Sequence, residues 1–427
     1  MRKILLICSG LLIVFIVLVY ISTSETSSEF RTCEILVNED LAITDFKEFD
    51  SVTVAANLLY EASLFKQFMQ GKQYREAWTM PVTVPIVFLD TLKGGMEIIE
   101  EGGGNQTHSL EIQDPNGIRY SLRSLSKDPA PLVPKVAKDL QLENVVVDGI
   151  SAQHPYAALV VADLAEAANI LHTAPQLMFL PKQERLDTLN EKYGNRLYFL
   201  EYESEGEKNW TSITEVTEII DTEDLIETRM EIGDKISIDH RTLIRARLFD
   251  LIIGDWDRHA KQWGWVLQKR GNELYATPLP ADRDNAFFKK DGVLPTLIAN
   301  NAFHPELQSF EKEITHLPGL ISDFDEYFLR TATLEQFQQE AIILKGLLSD
   351  QQIEEAFRVW PSSIDLLDGD EIRAKIKARR DDIELIATDF YQILADRPMK
   401  EIVLKGSEEL ELTGNLKRCF DCKTDQK

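Results

Sequence analysis

Between Cys33 and Cys419 the sequence contains no cysteine, so the body of this 427-residue chain must hold its shape by core packing rather than by cross-links. The four cysteines are Cys8, Cys33, and Cys419 and Cys422 in a terminal CFDC. With no second CxxC and no nearby histidine pair, zinc is unsupported; the expectation is a local disulfide or free thiols in a loose tail. Positive charge is scarce as well: 46 Lys and Arg stand against 71 Asp and Glu, a net charge of -25. Such a surface repels a phosphate backbone, which argues against nucleic acid as the main partner. Any phosphate site must therefore be locally basic or bridged by metal. Internal repeats and long low-complexity segments are also missing.

What the sequence does have is one long apolar run, ILLICSGLLIVFIVLVYI at 4–21, preceded by Arg2 and Lys3. Its length suits a single bilayer-spanning helix, and the following STSETSSE is a weak cleavage site, so an uncleaved anchor is preferred to a signal peptide. The positive-inside rule then puts residues 30–427 outside the cytoplasm, in the periplasm or on the cell surface.

Beyond this anchor and linker (1–30) comes an extension (31–90), in which VAANLLYEASLFKQFMQ has helical periodicity and MPVTVPIVFLD is the first strong strand signal. Residues 91–205 read as a β-rich lobe. TLKGGMEIIEEGGGNQTHSLEIQDPNGIRYSLRSLSKDP is strand, glycine-rich turn, strand, PNG turn, strand; the apolar helix HPYAALVVADLAEAANIL follows, then the strands APQLMFLP and NRLYFLEYE. Residues 206–400 turn helical, through TEDLIETRMEI, the amphipathic-looking RTLIRARLFDLIIG, TLEQFQQEAIILKGLL and EIRAKIKARRDDIELIATDFYQIL, and 401–427 form a tail. The fold class is α+β: a small antiparallel β lobe followed by a helical lobe, behind a single N-terminal transmembrane helix.

Chemistry concentrates in two loops. GDWDRHAKQW at 254–263 places Asp255, Asp257, Arg258 and His259 just past a helix that ends at Gly254. ADRDNAFF at 281–288 carries Asp282 and Asp284 just past a hairpin with a GN turn. A hairpin brings its ends together, so the loops are expected to face one another, and clustered carboxylates on loops suit Mg²⁺ or Mn²⁺ with a phosphate ligand. Upstream, Gly102, Gly103 and Gly104 lie between two strands, where backbone N–H groups can approach phosphates unobstructed. Arg123 and Lys127 follow on the next strand. They are about 13 Å apart along an extended chain, which lets only one of them sit on a given phosphate. The tryptophans Trp256, Trp263 and Trp265 read as packing anchors.

GDWDRHAKQ and DNAFF resemble the catalytic and metal-binding loops of the atypical kinase superfamily, which includes secretory-pathway casein kinases, HipA-type toxins and phosphoinositide lipid kinases. EGGGNQTHSLEI, YSLRSLSKDP, RARLFDLIIGDWDRHAKQW and PLPADRDNAFF are more closely similar to kinase-like domains of exported bacterial proteins, over about residues 74–300. The resemblance implies a two-lobed protein-kinase-like fold that uses ATP or another nucleotide with Mg²⁺ or Mn²⁺. It implies Asp257 as the acid that positions or deprotonates the attacking hydroxyl, Asp284 as the metal ligand, and His259 as a brace for the loop. Arg258 would pair with an acid or a phosphate, Arg123 or Lys127 would hold the nucleotide, and Glu166 or Asp163 would pair with that base from the helix. Many relatives carry an asparagine five residues after the catalytic aspartate as a second metal ligand; here the position is Gln262, with Asp282 or Asp255 as substitutes.

Three functions follow as expectations: a membrane-anchored extracytoplasmic kinase, a catalytically inactive pseudokinase serving envelope binding or assembly, and a metal-dependent phosphohydrolase using Asp255, Asp257, Asp282, Asp284 and His259 as direct ligands. The acceptor stays open among protein, glycan, lipid and nucleotide.

Overall fold

The strand Arg119–Lys127 buries Tyr120 and Leu122 on one side and leaves Ser121 and Arg123 half-exposed on the other, the alternation that a sheet between two layers requires. The structure is a computed structural model that describes residues 2–24, 34–35, 44–102, 107–128 and 133–422. It is mixed α+β.

The N-terminal helix α1 (Arg2–Thr23) leaves most of its apolar side chains exposed, as a signal sequence or an anchor would. A small antiparallel sheet follows, β1 (Glu34–Ile35), β2 (Ser51–Ala55) and β3 (Pro81–Pro85). Here the helical reading of VAANLL fails in part: Val54 and Ala55 belong to β2 with Val54 paired to Val82, Leu58–Tyr60 make only a 3₁₀ turn, and α-helix starts at Leu64–Gln70. β-branched residues at 52, 53 and 54 fit the pleat better than a helix turn.

The main sheet has five antiparallel strands: β4 (Glu97–Gly102), β5 (Thr107–Gln113), β6 (Arg119–Lys127), β7 (Gln176–Leu180) and β8 (Arg196–Tyr202), in the order β4-β5-β6-β8-β7. The β5–β6 turn is set by Asp114, whose carboxylate accepts the N–H groups of Asn116 and Ile118, both at 2.9 Å. Helix α2 (Ala157–Ala167), apolar almost all round, shares a core with Leu125, Phe179, Leu197 and Phe199 of this sheet. The other face, with Leu110, Ile112, Leu122 and Leu200, packs with Leu89, Met96 and Tyr193.

A second sheet, β9 (Val216–Asp221), β10 (Ile236–Ile238), β11 (Trp263–Arg270) and β12 (Glu273–Pro280), is ordered β10-β12-β11-β9, with only β10 and β12 parallel. Around it lie α3 (Thr222–Ile232), α4 (His240–Ile253) and the helices Leu334–Leu347, Asp370–Asp381 and Ile383–Asp396. The expected single long helix from Glu371 onward is thus two, meeting at Asp382.

One core cluster runs from Phe46 to Phe420, so the extension and the tail share the packing of the helical part. The expectation of a loose tail is corrected: Ile402, Leu404 and Phe420 are buried, Phe420 N–H donates to Tyr327 O at 3.1 Å, and Cys419 is disulfide-bonded to Cys422.

Candidate active site

Helix α4 delivers the first acidic loop. Asp239 caps its start by accepting the Thr242 N–H at 3.0 Å. Gly254 ends it in the left-handed region (φ 71°), where a Cβ would lie 2.6 Å from Cδ2 of Phe310. The helix is not amphipathic in its last two turns: every residue from Ala246 to Ile253 is buried, including Arg247 and Asp250. Asp250 is the reason two charges tolerate that interior. It meets Arg247 Nη1 at 3.0 Å, Arg258 Nε at 3.1 Å and Arg283 Nε at 2.9 Å. Burial would push the Asp250 carboxyl up, but these three guanidinium groups override it and hold it below the usual range. Because Arg258 belongs to the first loop and Arg283 to the second, Asp250 ties the two together from beneath.

Arg258 is consequently buried and fully engaged. Its Nη1 donates to Ala281 O at 2.8 Å, its Nη2 to Gln262 O at 3.2 Å, and its guanidinium stacks 4.7 Å from the Trp263 ring. Trp263 stacks in turn on Phe324 at 4.8 Å, and Trp265 meets Phe328 at 5.1 Å, so both are packing anchors; Trp256 is half-buried, edge-on to Phe288. Asp255 is buried, and one of its oxygens accepts the Asp257 N–H at 3.1 Å. Burial pushes its carboxyl well above the usual range, against the pull of Arg258.

Asp257 is half-buried. Burial raises its carboxyl above the usual range, Lys405 pulls against this and Asp282 adds to it. A raised carboxyl is the better proton acceptor. His259 Nε2 lies 3.6 Å from Asp257 Oδ1 and 2.7 Å from Nζ of Lys405, a tail residue absent from the sequence reading. Burial, then Lys405, then Arg258 push the imidazole down to about 4, so it is neutral at physiological pH.

The β11–β12 hairpin pairs Trp263 with Pro280, and Ala281 N–H donates to Gln262 O at 3.0 Å. The second acidic loop thereby starts beside the end of the first. Asp284 Oδ2 lies 2.6 Å from Lys127 Nζ and 3.6 Å from Arg123 Nη2, while Arg123 also pairs with Asp282. Arg123 and Lys127 therefore converge on one carboxylate, which corrects the extended-strand expectation. The cause is a register shift: Thr107 pairs with Lys127 but Ser109 with Arg123, so β6 carries extra residues and bends. Burial would raise both carboxyls. Arg123 and Lys127 hold Asp282 well below the usual range, whereas the Asp282 charge helps keep Asp284 above it.

These groups border a narrow, partly open cleft between β6, β8, α2 and the second acidic loop. Glu201 on β8 also lines it, buried, raised by burial against the pull of Arg123, and accepting the Thr173 hydroxyl at 2.6 Å. Sequence reasoning missed Glu201, although one acid inside the apolar strand LYFLEY is a signal, since a buried charge needs a partner. Glu166 is a correction in the other direction: it is exposed and pairs with His172 at 3.2 Å, not with Arg123 or Lys127, and Asp163 is exposed too. Both lie on the solvent side of α2. Gly102 is exposed at the end of β4; Gly103 and Gly104 lie outside the described residues.

The groups that could hold a divalent cation here offer oxygens throughout: Asp282, Asp284 and Gln262, whose Oε1 is buried without a hydrogen bond, as is Asp255 Oδ2. That donor set suits Mg²⁺ or Mn²⁺ in kind. Among the described residues no group of three or more His, Cys, Asp or Glu is arranged to hold a metal unaided.

No family model matches the chain, and no curated protein matches it. Among solved structures it is similar to the Helicobacter pylori proinflammatory kinase CtkA, at 13% identity over 71% of this chain and 97% of that one, with a TM-score of 0.34. It is also similar to the Shewanella oneidensis MR-1 toxin-antitoxin system HipA, HipB and its operator DNA complex, at 11% identity over 74% of this chain and 68% of that one, with a TM-score of 0.29.

Proposed function

We propose that this chain is a membrane-anchored, extracytoplasmic phosphotransferase that moves a phosphoryl group from a nucleotide such as ATP to an acceptor hydroxyl. The observation that carries the reading is the convergence of Arg123 and Lys127 on Asp282 and Asp284 at the edge of that cleft, close enough to Asp257 that its carboxyl feels Asp282 and Lys127. Phosphoryl transfer asks for positioned charge more than for covalent chemistry.

In this reading the nucleotide occupies the cleft, with its phosphates toward Arg123 and Lys127. Asp284 and Asp282, with the free amide oxygen of Gln262, hold Mg²⁺ or Mn²⁺, which neutralises charge on the phosphates. Asp257 orients the acceptor hydroxyl and takes its proton as the new O–P bond forms and the bond to the departing nucleoside diphosphate breaks. Arg258 and Asp250 keep the two loops in register. Helix α1, with a mean hydropathy of 3.2, supports the anchor, and Arg2 and Lys3 before it support the extracytoplasmic orientation.

The test uses the full chain in detergent micelles. ATP with Mg²⁺ or Mn²⁺ should raise Tm, Asp284→Ala should abolish that rise, and Asp257→Ala should keep it while losing transfer from γ-labelled ATP. Absence of stabilisation by any nucleotide sinks the reading. A second reading, the inactive pseudokinase, is favoured by Gln262 and by the ion pairs that already occupy Asp282 and Asp284; nucleotide stabilisation without transfer identifies it. The phosphohydrolase loses ground, because it needs a cluster of direct ligands and the two carboxylates of the second loop are paired with bases.

A further inference from the structure

Helix α1 is not free along its length. Phe15, Leu18 and Val19 pack in one apolar cluster with Phe65, Met69 and Leu294. Tyr20 donates its hydroxyl to Leu140 O at 2.8 Å, and Gln70 Nε2 donates to the Ser22 hydroxyl at 3.0 Å. The freely projecting part, residues 2–14, is therefore only about 20 Å long at 1.5 Å per residue. A bilayer's hydrocarbon core is about 30 Å thick. The apolar run must be used to its end near Ile21 to cross it, which draws the elements that touch Phe15 to Ile21 down to lipid level.

Those elements are apolar on the side turned away from the protein. On Leu64–Gln70, Phe65 and Met69 face the cluster with α1, while Leu64 (85% exposed) and Phe68 (65%), one turn apart, face out. On Val293–Ile298, Leu294 is buried and Leu297 and Ile298 are exposed, with Phe303 (75%) just beyond. On Lys135–Asp139, Val136 is exposed between Lys135 and Lys138, whose ammonium groups suit lipid phosphates.

We propose that Leu64, Phe68, Val136, Leu297, Ile298 and Phe303 form a lipid-facing collar that seats the folded domain on the bilayer surface, with these side chains in the headgroup and upper acyl region. This rests on the anchored reading of α1. The occupant is lipid because the collar is continuous with a helix that otherwise falls short of crossing, and because interfacial apolar faces sit about 5–10 Å deep, the length the free part lacks.

The experiment reconstitutes the full chain in phosphatidylcholine–phosphatidylglycerol nanodiscs with benzoylphenylalanine in place of one residue at a time: Leu11 in α1, Phe68, Leu297 or Phe303 in the collar, and Leu366 or Leu385 as exposed controls on other helical elements. After irradiation, phospholipid adducts are expected at Leu11 and at the three collar positions, and none above background at the controls. Adducts at Leu11 without adducts in the collar overturn the collar and leave the anchor standing. No adduct at Leu11 overturns the anchor and the collar with it. Collar probes that couple to a second copy of the chain instead of lipid overturn the choice of occupant.

Discussion

The ammonium of Lys127 lies 2.6 Å from Oδ2 of Asp284, and the guanidinium of Arg123 reaches the same oxygen at 3.6 Å. A strand base and a loop acid thus neutralise each other where the proposed nucleotide phosphates and cation would sit. Ligand binding must exchange this pair for a base–phosphate and an acid–metal contact. Lys127→Ala should then cost one charge-assisted contact, about 1.5–3 kcal/mol, or about 10- to 100-fold in ATP affinity with Mg²⁺. Titration calorimetry on the detergent-solubilised chain reads it; unchanged affinity would remove Lys127 from the site.

Glu201 and Glu166 separate the structural reading from the sequence one. Glu201 is buried next to Arg123, so Glu201→Ala leaves that guanidinium with the two loop acids alone. The expected cost is about 1–3 kcal/mol of stability together with weaker nucleotide binding. Glu166 is 81% exposed in its side chain, and Glu166→Ala should stay within about 0.5 kcal/mol and leave binding intact. Parallel thermal-unfolding curves with and without nucleotide distinguish the two; a larger effect at Glu166 would restore the helix acid.

The two acidic loops were legible because they sit at the ends of one hairpin, a local device whose register follows from its turn. Glu201 was not, because nothing local says that β8 lies beside β6 with β7 outside it. Lys405 reaches His259 across 146 residues of chain, a contact without any sequence period. Helix α4 looked amphipathic because Arg247 and Asp250 mimic a solvated face; their charges are instead satisfied by each other and by Asp325, Arg258 and Arg283 inside the core. The convergence of Arg123 and Lys127 depends on a bulge, and a bulge alters spacing without altering composition.

Asp250 and Gly254 predict how the first loop fails. Asp250→Ala leaves three buried guanidinium groups short of a counter-charge and should cost about 3–5 kcal/mol. The Asp250 carboxyl is depressed in the fold, so its contribution is full above its unfolded value near 4 and is lost as pH falls through the lower folded value. Gly254→Ala meets both a left-handed backbone and the Phe310 ring, and should cost at least about 2 kcal/mol with a displaced loop. Urea unfolding at neutral pH tests both; a Gly254→Ala chain as stable as the parent would mean that the helix end is not fixed there.

His259 supplies a pH signature that belongs to the Lys405 contact. Its folded value is pushed down to about 4 from 6.5, by burial first and then by Lys405 and Arg258. The unfolded chain therefore takes up a proton between about 6.5 and 4 that the folded one refuses. Stability from this group is full above about 6.5 and declines as pH falls toward 4, by about 3 kcal/mol in all. Lys405→Met removes one of the two repelling cations, so the imidazole should titrate at a higher pH and the decline should become shallower, while stability at pH 8 changes little. Imidazole proton shifts followed by NMR across pH 4–8, in the parent and in Lys405→Met, measure this directly. An identical midpoint in the two chains would mean that burial and Arg258 set the His259 value without Lys405 and that the tail does not act on the loop beside Asp257.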